Sequence, residues 1–172
     1  MGSSRTDAGV HACGNVAVFD TEARMAADKF SYALNQRLPE DIRIQDSCEV
    51  PADFHPRFQK TVKTYEYRIL NREFPLPAYR FNSHFTYRKL DVERMRQAAA
   101  YLIGEHDFQS FCAAGAQVKT TVRTIYALDV EKQGDLIILR ITGNGFLYNM
   151  VRIIAGTLMK IGQGDWEPER IP

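Results

Sequence analysis

Two stretches rich in apolar residues meet at Gln133-Gly134, and this feature most restricts the fold of the chain. Residues 122–132 and 135–142 are predicted to be the two strands of one hairpin. The glycine between them permits the tight turn of a hairpin. A second turn at Gly143-Asn144-Gly145 leads into a helical pattern over residues 146–161. The sequence therefore predicts an antiparallel hairpin followed by a long helix.

The rest of the chain mixes predicted strands with predicted helices. Asp91 is a suitable N-cap for a helix that runs to residue 103, with Glu93 in its first turn. The other predicted elements are strands over residues 15–19, 42–50 and 61–70, a helix over 26–38 and an edge strand over 80–87. This order predicts an α+β protein, with an antiparallel or mixed sheet and helices on one face. A boundary near residues 74–82 divides it into two lobes.

Composition narrows the class of protein. The chain has 172 residues, of which 45% are hydrophobic and 25% charged, as in ordinary globular proteins, and it has no apolar run of membrane-spanning length. Its three cysteines lie far apart without zinc-site spacing, which predicts free thiols in a reducing cytoplasm. The net charge is only +1, so a nucleic-acid site must come from local basic clusters. The candidate clusters, each also typical of a solvated surface, are Arg57, Lys60 and Lys63; Arg72 and Arg80; and Arg88 and Lys89.

The most informative motif is Ser4-Arg5-Thr6-Asp7-Ala8-Gly9-Val10-His11-Ala12. Arg5 is close enough in sequence to keep the carboxyl group of Asp7 ionised, and Gly9 permits a tight turn beside it. Asp7 is therefore a candidate nucleophile or general base on a loop. The alternative is that Asp7 only caps the turn, because Asp-Ala-Gly is common turn chemistry.

Two further stretches carry candidate site residues. Tyr65 and Tyr67 share one face of the strand predicted over residues 61–70, either as core residues or as a platform on which an extruded base stacks. Residues 150–158 form a helix that is apolar on nearly all sides except at Arg152. A buried Arg152 needs an anion such as Asp7, whereas the alternative is an arginine that extends its head into water.

His106 is a candidate general base or metal ligand. No other histidine or cysteine stands at ligand spacing from it, so no metal site is expected.

Together these motifs resemble the TruA family of tRNA pseudouridine synthases. The string around Asp7 resembles the catalytic loop of that family, Lys63-Thr64-Tyr65-Glu66-Tyr67-Arg68-Ile69 its second motif, and residues 143–158 its third. Further matches are residues 33–35, 38–42, 54–58, 104–111 and 123–125. The resemblance implies that Asp7 is the catalytic aspartate and that Arg152 pairs with it. It also implies that Tyr65 packs against the target uracil and transfers a proton, while Leu147 lines the uracil pocket.

Two more arginines are candidate substrate-binding residues. Arg5 would hold Asp7 and fill the space that a flipped base leaves. Arg57 lies in the basic and aromatic string Phe54-His55-Pro56-Arg57-Phe58, a composition typical of contacts to phosphates and sugars.

The resemblance implies a pseudouridine synthase fold with two ferredoxin-like lobes. The implied activity is isomerisation of uridine to pseudouridine at positions 38–40 of the tRNA anticodon stem-loop, with no metal or cofactor. The implied assembly is a cytoplasmic homodimer in which one tRNA contacts both subunits. Because chains of this family extend further at both ends, residues 1–172 are expected to be a catalytic domain that is incomplete at each end.

Two other functions stay open. The chain could bind tRNA without turnover, as an incomplete piece of such an enzyme. An aspartyl phosphohydrolase is disfavoured, because it would need a second carboxylate near Asp7 to hold magnesium, and Asp20 lies at the far end of a predicted strand.

Overall fold

The two stretches of the predicted hairpin are neighbouring strands in the structure. A computed structural model of the chain describes residues 1–4, 6–7, 9–59, 61–115 and 118–171. The chain divides into two compact units, Met1–Gln59 and Lys60–Pro172. The lobe boundary expected near residues 74–82 lies inside the second unit.

The second unit has the predicted α+β architecture. Its elements are β1 (Lys63–Asn71), β2 (His84–Thr86), α2 (Val92–Ala100), β3 (Gly104–Asp107), β4 (Val122–Gln133), β5 (Leu136–Gly143) and α3 (Met150–Gly162), whereas α1 (Phe30–Asn35) lies in the first unit. The strands form one five-stranded sheet in the order β2-β1-β5-β4-β3. The pairing of β1 with β2 is parallel, and the other three pairings are antiparallel. Short 3-10 turns occur at Pro77–Tyr79, Gln109–Phe111 and Pro168–Arg170.

One face of the sheet is covered by helices and forms the core. Ile137, Leu139 and Ile141 of β5 are fully buried there, and α3 packs near β1 while α2 packs on β4. Tyr65 pairs across the strands with Ile141, and Tyr67 pairs with Leu139. Residues opposite one another in an antiparallel pair share a face. Both tyrosines therefore point to the helix-covered side.

The predicted hairpin is confirmed, and so is the cap of α2. Gly134 has a φ of +59°, in the region that favours glycine, between β4 and β5. Asp91 Oδ1 accepts hydrogen bonds from the backbone N–H groups of Glu93 and Arg94 at 2.9 and 3.2 Å. These bonds occupy two N–H groups at the start of the helix that have no partner within it. The helix ends at Ala100, earlier than the predicted residue 103.

The structure differs from the prediction at three further places in the second unit. The long helix begins at Met150 and not near residue 146, because Asn149 has a left-handed φ of 57° that cannot continue a helix. The edge strand over residues 80–87 is shorter, and only β2 pairs with β1. β3 was not predicted; it is a strand because its backbone pairs with the start of β4.

The first unit has less regular structure than the sequence predicts. The predicted helix over residues 26–38 is confined to a 3-10 turn at Ala27–Lys29 and to α1 (Phe30–Asn35). The strand predicted over 15–19 is reduced to one bridge between Gly2 and Ala17. Residues 42–50 are all described, and none is in a strand. The Asn35 side chain instead bonds the backbone of Ile44 through both its amide atoms, at 2.8 and 2.9 Å.

In the described part of the chain, no helix has the length and apolar character needed to cross a membrane.

Candidate active site

The loop that carries Asp7 is closed at its base by backbone pairing. Ser3 donates its N–H to the carbonyl of Val16 at 2.8 Å, next to the bridge between Gly2 and Ala17. The Ser3 hydroxyl also bonds the Asn15 side-chain oxygen at 2.7 Å. These contacts hold the two ends of residues 3–16 together.

Asp7 itself is exposed on this loop. Its carbonyl accepts a hydrogen bond from the N–H of Val10 at 3.1 Å, which closes a tight turn. Gly9, inside the turn, has a φ of +77°, which a residue with a side chain rarely adopts. The turn expected from Asp-Ala-Gly is confirmed, and Asp7 is exposed on it.

The two arginines expected to bind substrate belong to this first unit. Arg57 donates from Nε to the carbonyl of Gly2 at 3.1 Å, so its guanidinium lies beside the base of the Asp7 loop. His55 and Phe58, from the same basic and aromatic string, stack with ring centroids 4.0 Å apart. Phe58 is 81% exposed, so its ring is accessible to a partner. Arg5 lies outside the described residues.

In the second unit, Tyr65 packs edge-to-face against Phe146. The two ring centroids are 5.1 Å apart and the planes meet at 85°, a favourable geometry for aromatic pairs. Tyr65 is half-buried in β1, and Phe146 comes from the turn between β5 and α3. The pair joins the second and third sequence motifs.

The turn before α3 holds Leu147 in a fixed place. Asn144 exchanges hydrogen bonds with Thr124 through its backbone and side chain, at 3.1 and 3.0 Å. The carbonyl of Tyr148 accepts from the N–H of Ala113 at 3.0 Å. Leu147 is 5% exposed and belongs to the hydrophobic core of the unit. Any contact between Leu147 and a substrate therefore uses the small exposed part of its side chain.

Of the two interpretations of Arg152, the arginine that reaches water agrees with the structure and the buried arginine does not. α3 buries Met150, Ile154 and Leu158 but leaves Arg152 exposed. Gly156 and Lys160 follow at intervals of four residues, and both are exposed. These three residues lie on one face of the helix, because residues four apart are neighbours on its surface. α3 is therefore apolar on one side only.

The exposed face of α3 forms one wall of a cavity of about 270 Å³. Tyr67 of β1 and His84 of β2 line the other side, and the remaining lining residues are Arg152, Gly156, Met159, Lys160 and Gln163. Burial raises the pKa of the Tyr67 phenol, and the positive charge of Arg152 opposes that rise. The cavity is therefore a partly desolvated site with a phenol and a guanidinium in electrostatic contact.

The structure brings some of the predicted residues together within the second unit. Arg152 shares a cavity with Tyr67, and Tyr65 lies two residues from Tyr67 on the same face of β1. Tyr67 was predicted beside Tyr65 as a candidate for stacking on an extruded base, whereas His84 was not predicted as a site residue. The period-two alternation of β1 was the available signal for Tyr67, whereas the position of His84 depends on the parallel pairing of β2.

His106 has a structural environment in β3. Its Nε2 bonds the carbonyl of Ile103 at 2.9 Å, and its ring meets Phe108 edge-to-face at 5.7 Å. Among the residues that the structure describes, no three His, Cys, Asp or Glu side chains cluster as metal ligands do.

Comparison with known proteins assigns the family. The family model for tRNA pseudouridine synthase matches residues 1–59 and 98–172, which include the Asp7 loop, the Phe146–Leu147 turn and α3. The chain belongs to the tRNA pseudouridine synthase family. It is 48% identical over 172 residues to tRNA pseudouridine synthase A of Acetivibrio thermocellus, covering 100% of this chain and 70% of that protein.

Two other relatives give similar values. tRNA pseudouridine synthase A of Brevibacillus brevis is 50% identical over 172 residues, which cover 99% of this chain and 70% of the relative. tRNA pseudouridine synthase A 2 of Clostridium perfringens is 48% identical over 171 residues, with 99% and 70% covered. The similarity to tRNA pseudouridine synthases therefore extends through residues 60–97, which the family model does not match.

Proposed function

We propose that this chain isomerises uridine to pseudouridine in tRNA, at positions 38–40 of the anticodon stem-loop. The observation that supports the reaction is the 48–50% identity with proteins named tRNA pseudouridine synthase A, over 99–100% of the chain. The positions in the tRNA come from the resemblance of the motifs. The reaction breaks the bond between ribose C1′ and uracil N1 and forms a bond between C1′ and C5. The hydrogen on C5 leaves as a proton and N1 gains one, so the product is an isomer of the substrate.

Asp7 is the proposed nucleophile or general base. An exposed carboxylate on a turn is accessible to an RNA strand, and catalytic groups are commonly presented on such loops. Arg152 and Arg5 are proposed to hold this carboxylate ionised and oriented, because a nearby cation favours the charged form. The fixed charge would stabilise an electron-poor sugar carbon as the glycosidic bond breaks.

Tyr65 and Leu147 are proposed to contact the uracil. The ring of Tyr65 is half-buried and supported by Phe146, so it presents a firm surface to a base taken out of its stack. Its hydroxyl is proposed to transfer a proton, and the apolar side chain of Leu147 to line the pocket. Arg57 is proposed to bind a phosphate or sugar of the same RNA.

The direct test is release of tritium from tRNA labelled at uracil C5. We expect release by the chain and none by Asp7→Asn, whose affinity for tRNA should stay within a few fold. Asp20→Asn is the matched control, because Asp20 is an exposed aspartate in the same unit. Normal release by Asp7→Asn would disprove the role assigned to Asp7.

The competing proposal is a tRNA-binding piece without turnover, since the chain aligns with 70% of the length of these relatives. Binding of tRNA without tritium release, by a chain whose melting transition shows it to be folded, would support this alternative.

We also propose a cytoplasmic homodimer in which one tRNA contacts both subunits. Sedimentation of the chain with and without tRNA tests the assembly. A complex of two chains with one tRNA is expected, and a complex of one chain with one tRNA would contradict it.

A further inference from the structure

We propose that the segment Arg72–Lys89, which we call the platform, binds the unpaired nucleotides that flank the modified uridine. The inference rests on the proposed function for the identity of the RNA. It concerns a part of the chain that the family model does not match, since that match omits residues 60–97. Its arginines and Lys89 are among the basic clusters that the sequence offers for a nucleic-acid site, and the comparisons assign no role to the segment.

The platform is anchored at its base by one side chain. Asn71, the last residue of β1, donates from Nδ2 to the carbonyls of Thr86 and Arg88 at 3.1 and 2.8 Å. Its Oδ1 accepts from the N–H of Leu90 at 3.1 Å. Asn71, which precedes the platform, thus holds the residues at the end of the platform in place. A segment anchored in this way presents its side chains with little loss of freedom on binding.

The platform exposes large aromatic rings, which a globular protein ordinarily buries. Phe74 is 67% exposed, Phe81 75% and Tyr87 72%. Arg80 places its guanidinium carbon 4.3 Å from the centroid of the Phe81 ring, yet most of that ring stays open to solvent. In proteins that bind single-stranded RNA, the bases stack on exposed aromatic rings, and neighbouring arginines neutralise the phosphates.

The charge of the platform matches a polyanion. It contains four basic residues and one acidic residue, whereas the whole chain has a net charge of only +1. Arg72 and Arg88 pair with Asp135 and Asp165. Within the described parts of the chain, no acidic group pairs with Arg80 or Lys89. These two cations are available to phosphates.

The platform also reaches the cavity that contains Arg152. His84 of β2 pairs with Ile69 of β1 and lines that cavity together with Tyr67 and Arg152. A strand of RNA whose uridine approaches Arg152 therefore passes beside the platform. Stacking of neighbouring unpaired bases on Phe81 would hold the RNA while the target base is out of its stack.

The test measures RNA affinity in an Asp7→Asn background, where turnover does not interfere. The probes are a fluorescently labelled anticodon stem-loop and a blunt RNA duplex of the same stem. Phe81→Ala should weaken binding of the stem-loop about fivefold or more and leave duplex binding nearly unchanged, because only unpaired bases stack on the ring. Arg80→Gln should reduce the slope of log affinity against log salt by about 0.7 to 0.9.

The matched controls are Tyr126→Ala and Lys132→Gln, which remove an exposed ring and an exposed cation from β4. Both should bind the stem-loop as the background does. Unchanged binding by Phe81→Ala, equal loss in the controls, or no RNA binding by the parent chain would each overturn the proposal. So would a change in the sedimentation of Phe81→Ala without a change in RNA affinity, which would indicate a protein contact.

The test separates this proposal from the proposed function. Absence of tritium release by the parent chain, together with binding that depends on Phe81, would refute the isomerase activity and support the platform. Normal release together with binding that is independent of Phe81 would do the reverse.

Discussion

The guanidinium of Arg152 acts electrostatically on the phenol of Tyr67 across a shared cavity. Burial raises the pKa of the phenol above its ordinary value, and the arginine lowers it. A positive charge favours the ionised form of a neighbouring acid, whereas desolvation disfavours it. In this cavity, Arg152 of the third sequence motif thus interacts electrostatically with Tyr67 of the second.

Removal of this charge should therefore raise the pKa of Tyr67 further. We expect Arg152→Gln to shift the titration of the Tyr67 phenol to higher pH, measured by NMR with ring-labelled tyrosine. Lys132→Gln, which removes an exposed cation on β4, should leave that titration unchanged. An unchanged Tyr67 titration in Arg152→Gln would show that the two groups do not interact.

The exposure of Arg152 leads to a second expectation for the same variant. Substitutions at exposed positions usually change the free energy of unfolding by less than about 1 kcal/mol. Arg152→Gln should therefore melt nearly as the parent does while it loses tritium release from labelled tRNA. A loss of several kcal/mol in a denaturant titration would instead indicate a buried ion pair, whose disruption is costly.

Two variants of Tyr65 should distinguish the contribution of its ring to stability from the contribution of its hydroxyl to turnover. Tyr65→Phe keeps the edge-to-face contact with Phe146, so its stability should be close to that of the parent. If the hydroxyl transfers a proton, turnover should fall about 100-fold or more. Tyr65→Ala should in addition lose about 1–3 kcal/mol of unfolding free energy. Full turnover by Tyr65→Phe would refute the proton-transfer role.

The parts of the fold that were predicted correctly depend on local chemistry. The hairpin at Gly134 and the cap at Asp91 follow from a turn residue and a capping carboxylate, and both signals lie within a few residues of the structure they produce. The strands predicted over 15–19 and 42–50 were wrong because a strand also needs a partner. Ile42 is apolar but 50% exposed, so its side chain is not part of a core that would hold a strand in place.

The candidate site shows the same limit. Arg152 could be found from a charge in an apolar stretch, but its exposure depends on which side of α3 faces the core. The position of His84 follows from a parallel pairing of three residues, which no local pattern encodes. Residues in motifs were therefore identifiable from sequence, whereas the walls of the cavity were not.

Two glycines in the second unit should respond in opposite directions to alanine. A Cβ on Gly143 would lie 2.7 Å from the carbonyl oxygen of Thr124, a backbone atom held in the sheet. Gly143→Ala should therefore cost about 1–3 kcal/mol of unfolding free energy. Gly156 lies within α3 and has open space at its Cβ, so Gly156→Ala should stabilise by about 0.5–1 kcal/mol. Denaturant titrations of both variants test the contrast, and equal effects would contradict it.

The stability of the second unit should depend on the carboxylate of Asp165, which bonds Arg88 after β2 and Lys160 in α3. Asp165 accepts from both terminal nitrogens of Arg88, at 3.1 and 2.8 Å, and from Lys160 at 3.1 Å. These bonds lower the pKa of its carboxyl group from 3.8 to about 2. A carboxyl whose pKa is lower in the folded state stabilises the fold above its ordinary pKa. That stabilisation is lost as the pH falls through the folded-state value.

We therefore expect Asp165→Asn to lower the melting temperature at neutral pH, because the variant loses these charged hydrogen bonds. The difference from the parent should shrink as the pH falls from about 4 toward about 2, where the parent carboxyl also becomes protonated. Glu169→Gln removes one nearby negative charge and serves as the control for net charge. A difference between Asp165→Asn and the parent that stays constant down to pH 2 would show that the carboxylate charge does not stabilise the fold. The hydrogen bonds between Arg88 and residue 165 would then not depend on the negative charge of the carboxylate.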